Sequence, residues 1–135
     1  MELERLIENF ECFDDWEDRY AYLIDLGRKL PDLADTDKTA QNKVEGCISQ
    51  VWMIGSLSET TPPKLELQAD SDAHIVRGLI AILLAAFSGK TPAEIAGIDI
   101  KAIFAQLGLE EHLSFNRRNG FYAMVQRIHL LAGAM

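Results

Sequence analysis

The stretch from Ile75 to Phe87 constrains this chain more than any other. Ile75, Val76, Leu79, Ile80, Ile82, Leu83, Leu84 and Phe87 place apolar side chains nearly all round a helix. Such a helix has no face to offer water, so the other elements must be built around it. Its longest apolar run, Leu79 to Phe87, is about half the length that spans a bilayer, which fits a buried core helix and not a membrane crossing. Asp70-Ser71-Asp72 stands ahead of it as an N-cap cluster.

The flanking segments have clear periods of their own. Leu3, Leu6, Ile7 and Phe10 recur at helical spacing. Asp14 with Glu17 three residues on reads as a capping box for a second helix carrying Trp16, Tyr20, Leu23, Ile24 and Gly27 on one face. Leu30-Pro31 ends that helix, because a residue before proline disfavours the α region. From Asp32 to Asn42 the chain is polar and aperiodic, a loop. Val51-Trp52-Met53-Ile54 and the alternating Leu65, Leu67 and Ala69 then predict two strands joined through Gly55–Lys64, with Lys43 to Gly46 as a short third strand.

After the central helix, Thr91-Pro92-Ala93-Glu94 combines an N-cap, a proline at the first helical position and a capping acid, and Gly97 closes this short helix. Asp99 to Leu107, ended by Gly108, predicts another. Ser114 opens the last, whose buried face is Phe121, Met124, Val125, Ile128 and Ala132. The expected class is α+β: a small three-stranded antiparallel sheet packed against helices. With 135 residues and no linker, repeat or low-complexity tract, one domain spanning 1–135 is expected.

Charge narrows the partners. The net charge is −8 and no lysine or arginine stripe occurs, so neither nucleic acid nor an anionic membrane surface is an expected partner. Met1-Glu2-Leu3-Glu4 is acidic and lacks the basic start and apolar block of a secretory signal, so a cytoplasmic protein is expected. Two cysteines, Cys12 and Cys47, are too few for a disulfide scaffold or a cysteine-based metal or cluster site. His74, His112 and His129 are far from both in sequence, so no metal site and no cofactor is expected.

Cys47 draws most attention. It follows Gly46 at the junction of a polar loop and a strand, and glycine opens turn conformations that can carry a side chain to a loop tip. Two readings stay open: a thiol presented to another protein, or a small buried hydrophobe. Cys12, among Phe10, Phe13 and Trp16, reads as a packing residue. Arg117 and Arg118 occupy the first turn of the last helix, where the macrodipole disfavours positive charge. They either serve a carboxylate, a thiol or a partner, or they are exposed at trivial cost. Gly120 inside the same helix suggests a close backbone contact. Asp72 reads by default as a helix-start acid. No Walker A, Rossmann, G-x-S-x-G or H-E-x-x-H pattern occurs.

The segment Gln41-Asn42-Lys43-Val44-Glu45-Gly46-Cys47-Ile48-Ser49-Gln50-Val51-Trp52 closely resembles the signature of the SufE family of sulfur acceptors. Trp16 to Tyr20 with Leu26 to Pro31, Asp70 to Leu79, and Leu113 to Gly120 resemble other blocks of that family in the same order. The resemblance implies a fold like that of SufE and the IscU-type scaffold. It implies that Cys47 accepts sulfur from the persulfide of a pyridoxal phosphate-dependent cysteine desulfurase and passes it to a cluster scaffold. The accessory protein is then no enzyme itself, and the pyridoxal phosphate belongs to the partner. Gly46, Gln50, Asp72 and Arg117 are the implied partner-binding or thiol-environment residues, with Arg117 at the family's characteristic arginine. Val44 and Ile48 are expected to shelter a persulfide. Phe115 departs from the family pattern, where proline is common. Ile75 to Leu79 and Ser88 to Thr91 resemble the CsdE branch and Gly46 to Trp52 resembles SufE, so the implied desulfurase is SufS- or CsdA-like. The alternative is an IscU-like scaffold or binding protein of related fold.

Overall fold

The computed structural model describes residues 2–133; Met1, Ala134 and Met135 lie outside that range, and with Met1 goes the first residue of the acidic start. The described residues form α1 (Leu3–Glu11), α2 (Trp16–Lys29), a 3-10 turn (Asp35–Asp37), β1 (Val51–Leu57), β2 (Leu65–Ser71), α3 (His74–Phe87), α4 (Pro92–Ala96), α5 (Ile100–Gln106), α6 (Leu109–His112) and α7 (Phe115–Gly133). The architecture is α+β, as expected.

The apolar sweep of α3 makes it the core element: Val76, Leu79, Ile80, Ile82, Leu83, Ala86 and Phe87 are all buried. α2 lies directly against it through small residues. A Cβ on Gly78 would stand 2.8 Å from the Leu23 carbonyl carbon, and one on Gly27 would stand 2.9 Å from the Gly78 nitrogen. Neither position can hold a side chain without the helices parting. α7 brings Phe121, Met124, Val125, Ile128 and Ala132 to the same core, the face its spacing predicts. Phe121 stacks on Phe104 of α5 with ring centroids 4.2 Å apart.

β1 and β2 pair antiparallel from Val51↔Ser71 to Leu57↔Leu65. Leu65, Leu67 and Ala69 are buried, the alternating row read from sequence, and on the facing strand Val51 and Met53 are buried as well. Among the described residues the sheet has two strands and not the expected three. Lys43 makes a single antiparallel bridge to Trp52, with Val44 N–H donating to Val51 O (2.8 Å) and Met53 N–H donating to Asn42 O (2.9 Å). The ladder stops there because Gly46, at φ +91°, turns the chain out of the extended conformation.

Two predicted caps move. Asp15, not Asp14, caps α2, its side chain accepting from Asp18 N–H at 2.8 Å. This shift sets Trp16 in the first turn, where its ring stacks on His112 at 3.8 Å. Asp70 and Ser71 are strand residues, and Ala73 occupies the cap position of α3 without a side-chain bond. The Thr91–Glu94 capping box forms reciprocally, and Asp99 caps α5. Gly108, at φ +73°, separates α5 from α6, a short turn the sequence pattern does not predict.

Candidate functional site: the Cys47 loop and its cavity

Between the Lys43 bridge and β1 the chain forms a short loop with Cys47 near its middle. Gly46 supplies the left-handed conformation that the turn requires. A Cβ there would also come within 3.2 Å of the Ala123 Cβ on α7, so the loop lies close on that helix. Cys47 is half-buried, with Sγ 3.5 Å from the carbonyl oxygen of Gly120, to which the thiol donates a weak hydrogen bond. Gly120 faces Cys47 directly: a Cβ built there would lie 3.5 Å from Sγ, an ordinary van der Waals contact.

The thiol borders a cavity of about 300 Å³. Its inner wall is apolar, formed by Val76 and Leu79 of α3 and Phe121 and Met124 of α7; Ser49, Ser114, Asn116 and Arg117 supply polar groups. Two large apolar side chains point outward at this end of the molecule: Ile48 is 77% exposed and Phe115 68%. Burial pushes the Cys47 thiol pKa up from its ordinary value, because the apolar wall disfavours the thiolate.

The predicted residues distribute around this loop in three ways. Arg117 is exposed, lines the cavity and makes no side-chain hydrogen bond or ion pair among the described residues. It does not lower the Cys47 pKa in this arrangement, where burial is the acting cause. Arg118 diverges from it and donates to the Glu110 carbonyl at 3.3 Å. Gln50 and Asp72 meet at the far end of the loop. Gln50 N–H donates to Asp72 Oδ1 (3.0 Å), and Asp72 N–H returns a bond to Gln50 O (3.3 Å). Asp72 is therefore a loop latch and not a helix cap. Val44 is 2% exposed and belongs to the core, whereas Ile48 stands at the cavity. Cys12 follows α1 and is exposed, in contrast to the packing role read from its aromatic neighbours.

Sequence reasoning passes over a second polar assembly beside the loop. Asp70 is 2% exposed and accepts from Leu33 N–H (3.0 Å) and Ser71 N–H (2.8 Å). It pairs with Arg77, and Lys38 Nζ lies 3.5 Å away. Arg77 also donates to the carbonyls of Gly27 (3.0 Å) and Leu30 (2.7 Å), tying the end of α2 to α3. Burial pushes the Asp70 pKa up. The two backbone donors and the Arg77 and Lys38 charges outweigh it and hold the carboxyl below its usual range. One sequence signal does point here: Arg77 is a cation in an otherwise apolar helix, and a buried cation needs a carboxylate.

No helix among the described residues is long and apolar enough to cross a membrane. Comparison with known proteins agrees with the fold. The chain is 51% identical over 127 residues to an uncharacterized SufE-like protein of Rhizobium etli, covering 93% of this chain and 86% of that one. It is 49% identical over 127 residues to an uncharacterized SufE-like protein of Rhizobium meliloti, covering 93% and 91%. The solution structure of a hypothetical protein from Thermus thermophilus superposes with a TM-score of 0.77, covering 98% of this chain and 93% of that one; at 19% identity it speaks for the fold alone. The profile of the SufE family, described as an Fe-S metabolism associated domain, matches residues 4–132, and the chain belongs to that family.

Proposed function

We propose that this protein is a sulfur acceptor, taking sulfur onto Cys47 from the persulfide of a pyridoxal phosphate-dependent cysteine desulfurase and passing it on for iron–sulfur cluster assembly. One observation carries the reading: a thiol on a short loop, bordering a cavity with an apolar wall, with Ile48 and Phe115 exposed at the same end of the molecule.

The transfer is a thiol–persulfide exchange. The Cys47 thiolate attacks the terminal sulfur of the partner's cysteine persulfide. An S–S bond forms on Cys47 as the partner's S–S bond breaks, and the partner's cysteine leaves as a thiolate. The transferred sulfur keeps its oxidation state, so no external oxidant or reductant is needed. In the resting arrangement burial further disfavours the Cys47 thiolate, which suppresses side reactions. The reaction therefore requires the loop to bring the thiol out when the partner docks. Gly46 gives the loop its turn, and the Gln50–Asp72 pair holds its far end. Arg117, without an ion pair among the described residues, is the group beside the cavity for the partner to engage, and Ile48 and Phe115 supply apolar contact area around it. The desulfurase is SufS- or CsdA-like, and a cluster scaffold receives the sulfur.

Desulfurase turnover tests this. With cysteine as substrate, alanine release by a partner desulfurase should rise when the protein is added. Cys47→Ser should remove the whole stimulation and Cys12→Ser none of it. Equal stimulation by Cys47→Ser and the parent would refute acceptance on Cys47.

A further inference from the structure

The near end of the Cys47 loop lacks the strand that the sequence pattern promises, and an arginine takes its place. Residues 42–44 make one bridge to β1, using the carbonyl of Asn42 and the N–H of Val44. In an extended segment alternate carbonyls point to opposite sides, so that of the bridging Lys43 faces away from β1, while Gln41 stands in the turn just before it. A further strand would normally satisfy the Lys43 carbonyl. Instead Arg127 of α7 donates through Nη2 to Gln41 O at 2.7 Å and through Nη1 to Lys43 O at 3.3 Å. A planar guanidinium suits two neighbouring acceptors in a way an ammonium cannot. Among the described residues Arg127 has no carboxylate partner, so these carbonyls are its counter-groups.

We propose that Arg127 is a positioning residue for sulfur acceptance: it clamps the near end of the Cys47 loop to α7 and fixes the hinge about which the thiol leaves its cavity. The inference rests on Cys47 as the reacting atom. It adds a second anchor to the Gln50–Asp72 latch, so that the loop hangs between two polar clamps. Arg127 lies on the element that also carries Gly120 and Phe121, so the clamp registers the loop against the cavity wall. Arg117 is the ionisable side chain that lines the cavity beside Cys47.

The test measures alkylation of Cys47 in a Cys12→Ser background, across pH and with no desulfurase present. Its outcome is thus independent of whether sulfur transfer occurs. Arg127→Met keeps the apolar stem and removes the fork. It should speed alkylation at neutral pH on the order of tenfold, as the open loop becomes more populated, and move the pH–rate profile towards that of a free thiol. Arg127→Lys should restore part of the slow rate. Ile128→Val, which trims the α7 core without touching the clamp, should leave the profile in place, whereas general loosening would shift both. An Arg127→Met profile that superimposes on the parent would overturn the proposal. If Arg127→Met does not fold, amide exchange in the parent decides. Val44 and Met53 N–H should stay protected while residues 46–49 exchange fast, and equally fast exchange of Val44 and Met53 would reject a hinge at Arg127.

Discussion

Asp70 and Asp72 stand two residues apart at the end of the same strand and have opposite fates. Asp70 is buried under the Leu33 loop with two backbone donors and two cations around its carboxylate. Asp72 is exposed, and its side chain holds one N–H of the Cys47 loop. A buried carboxylate must be fully partnered or it destabilises the fold, so Asp70 becomes immovable. An exposed one is exchangeable with water at small net cost, so Asp72 can let go. One strand end thus serves as a fixed hub on one side and a releasable latch on the other. On the proposed sulfur-acceptor reading, in which the Cys47 thiol leaves its cavity to react, the loop uses both.

The contrast breaks most visibly at the hub. Asp70→Asn leaves the part-buried Arg77 with only the exposed Asp32 as a counter-charge among the described residues and should cost about 3 kcal/mol, read from urea unfolding. A loss comparable to that of Asp72→Asn would erase the distinction. The helix contact beneath the hub should respond next. Gly78→Ala drives a Cβ into the Leu23 carbonyl and should cost about 1–3 kcal/mol. Gly120→Ala, whose Cβ meets Cys47 Sγ at an ordinary 3.5 Å, should be neutral or stabilising by up to ~1 kcal/mol through helix propensity.

The pH dependence sharpens the same comparison. The Asp70 carboxyl is held below its usual range when folded, so its contribution is complete above the unfolded value of about 4. That contribution falls away as pH drops through the lowered folded value. Asp70→Asn should flatten this acid limb of the stability curve, and Asp72→Asn should retain it. The smallest destabilisation belongs to the latch: Asp72→Ala should cost less than about 1 kcal/mol while accelerating Cys47 alkylation.

Much of this fold is legible in sequence, and the gaps have physical causes. α3 and α7 emerge because their apolar periods are set by burial, and Thr91 to Glu94 because a capping box is a local device. The third strand does not form because pairing depends on Gly46, whose positive φ cannot be read from composition. Asp70 passes for a helix-start acid because Asp-Ser-Asp before an apolar run has the pattern of a cap; only the fold shows Leu33 and Lys38 closing over it. Cys47 and Arg117 stand out in the sequence and line one cavity. Arg127 gives no local signal, since an arginine on a helix reads the same whether it faces solvent or two carbonyls of a distant loop. The family resemblance covers the loop motif and points to Gln50 and Asp72 at its far end, whereas the Arg127 anchor comes from a tertiary contact alone.

The central claim is that the half-buried Cys47 receives the sulfur. Intact-protein and peptide mass spectrometry after incubation with a cysteine desulfurase and cysteine tests it most directly. A gain of one sulfur atom mapped to Cys47, retained in Cys12→Ser and lost in Cys47→Ser, is the expected result. Sulfur on Cys12, or no sulfur adduct with any desulfurase of the same cell, would contradict it.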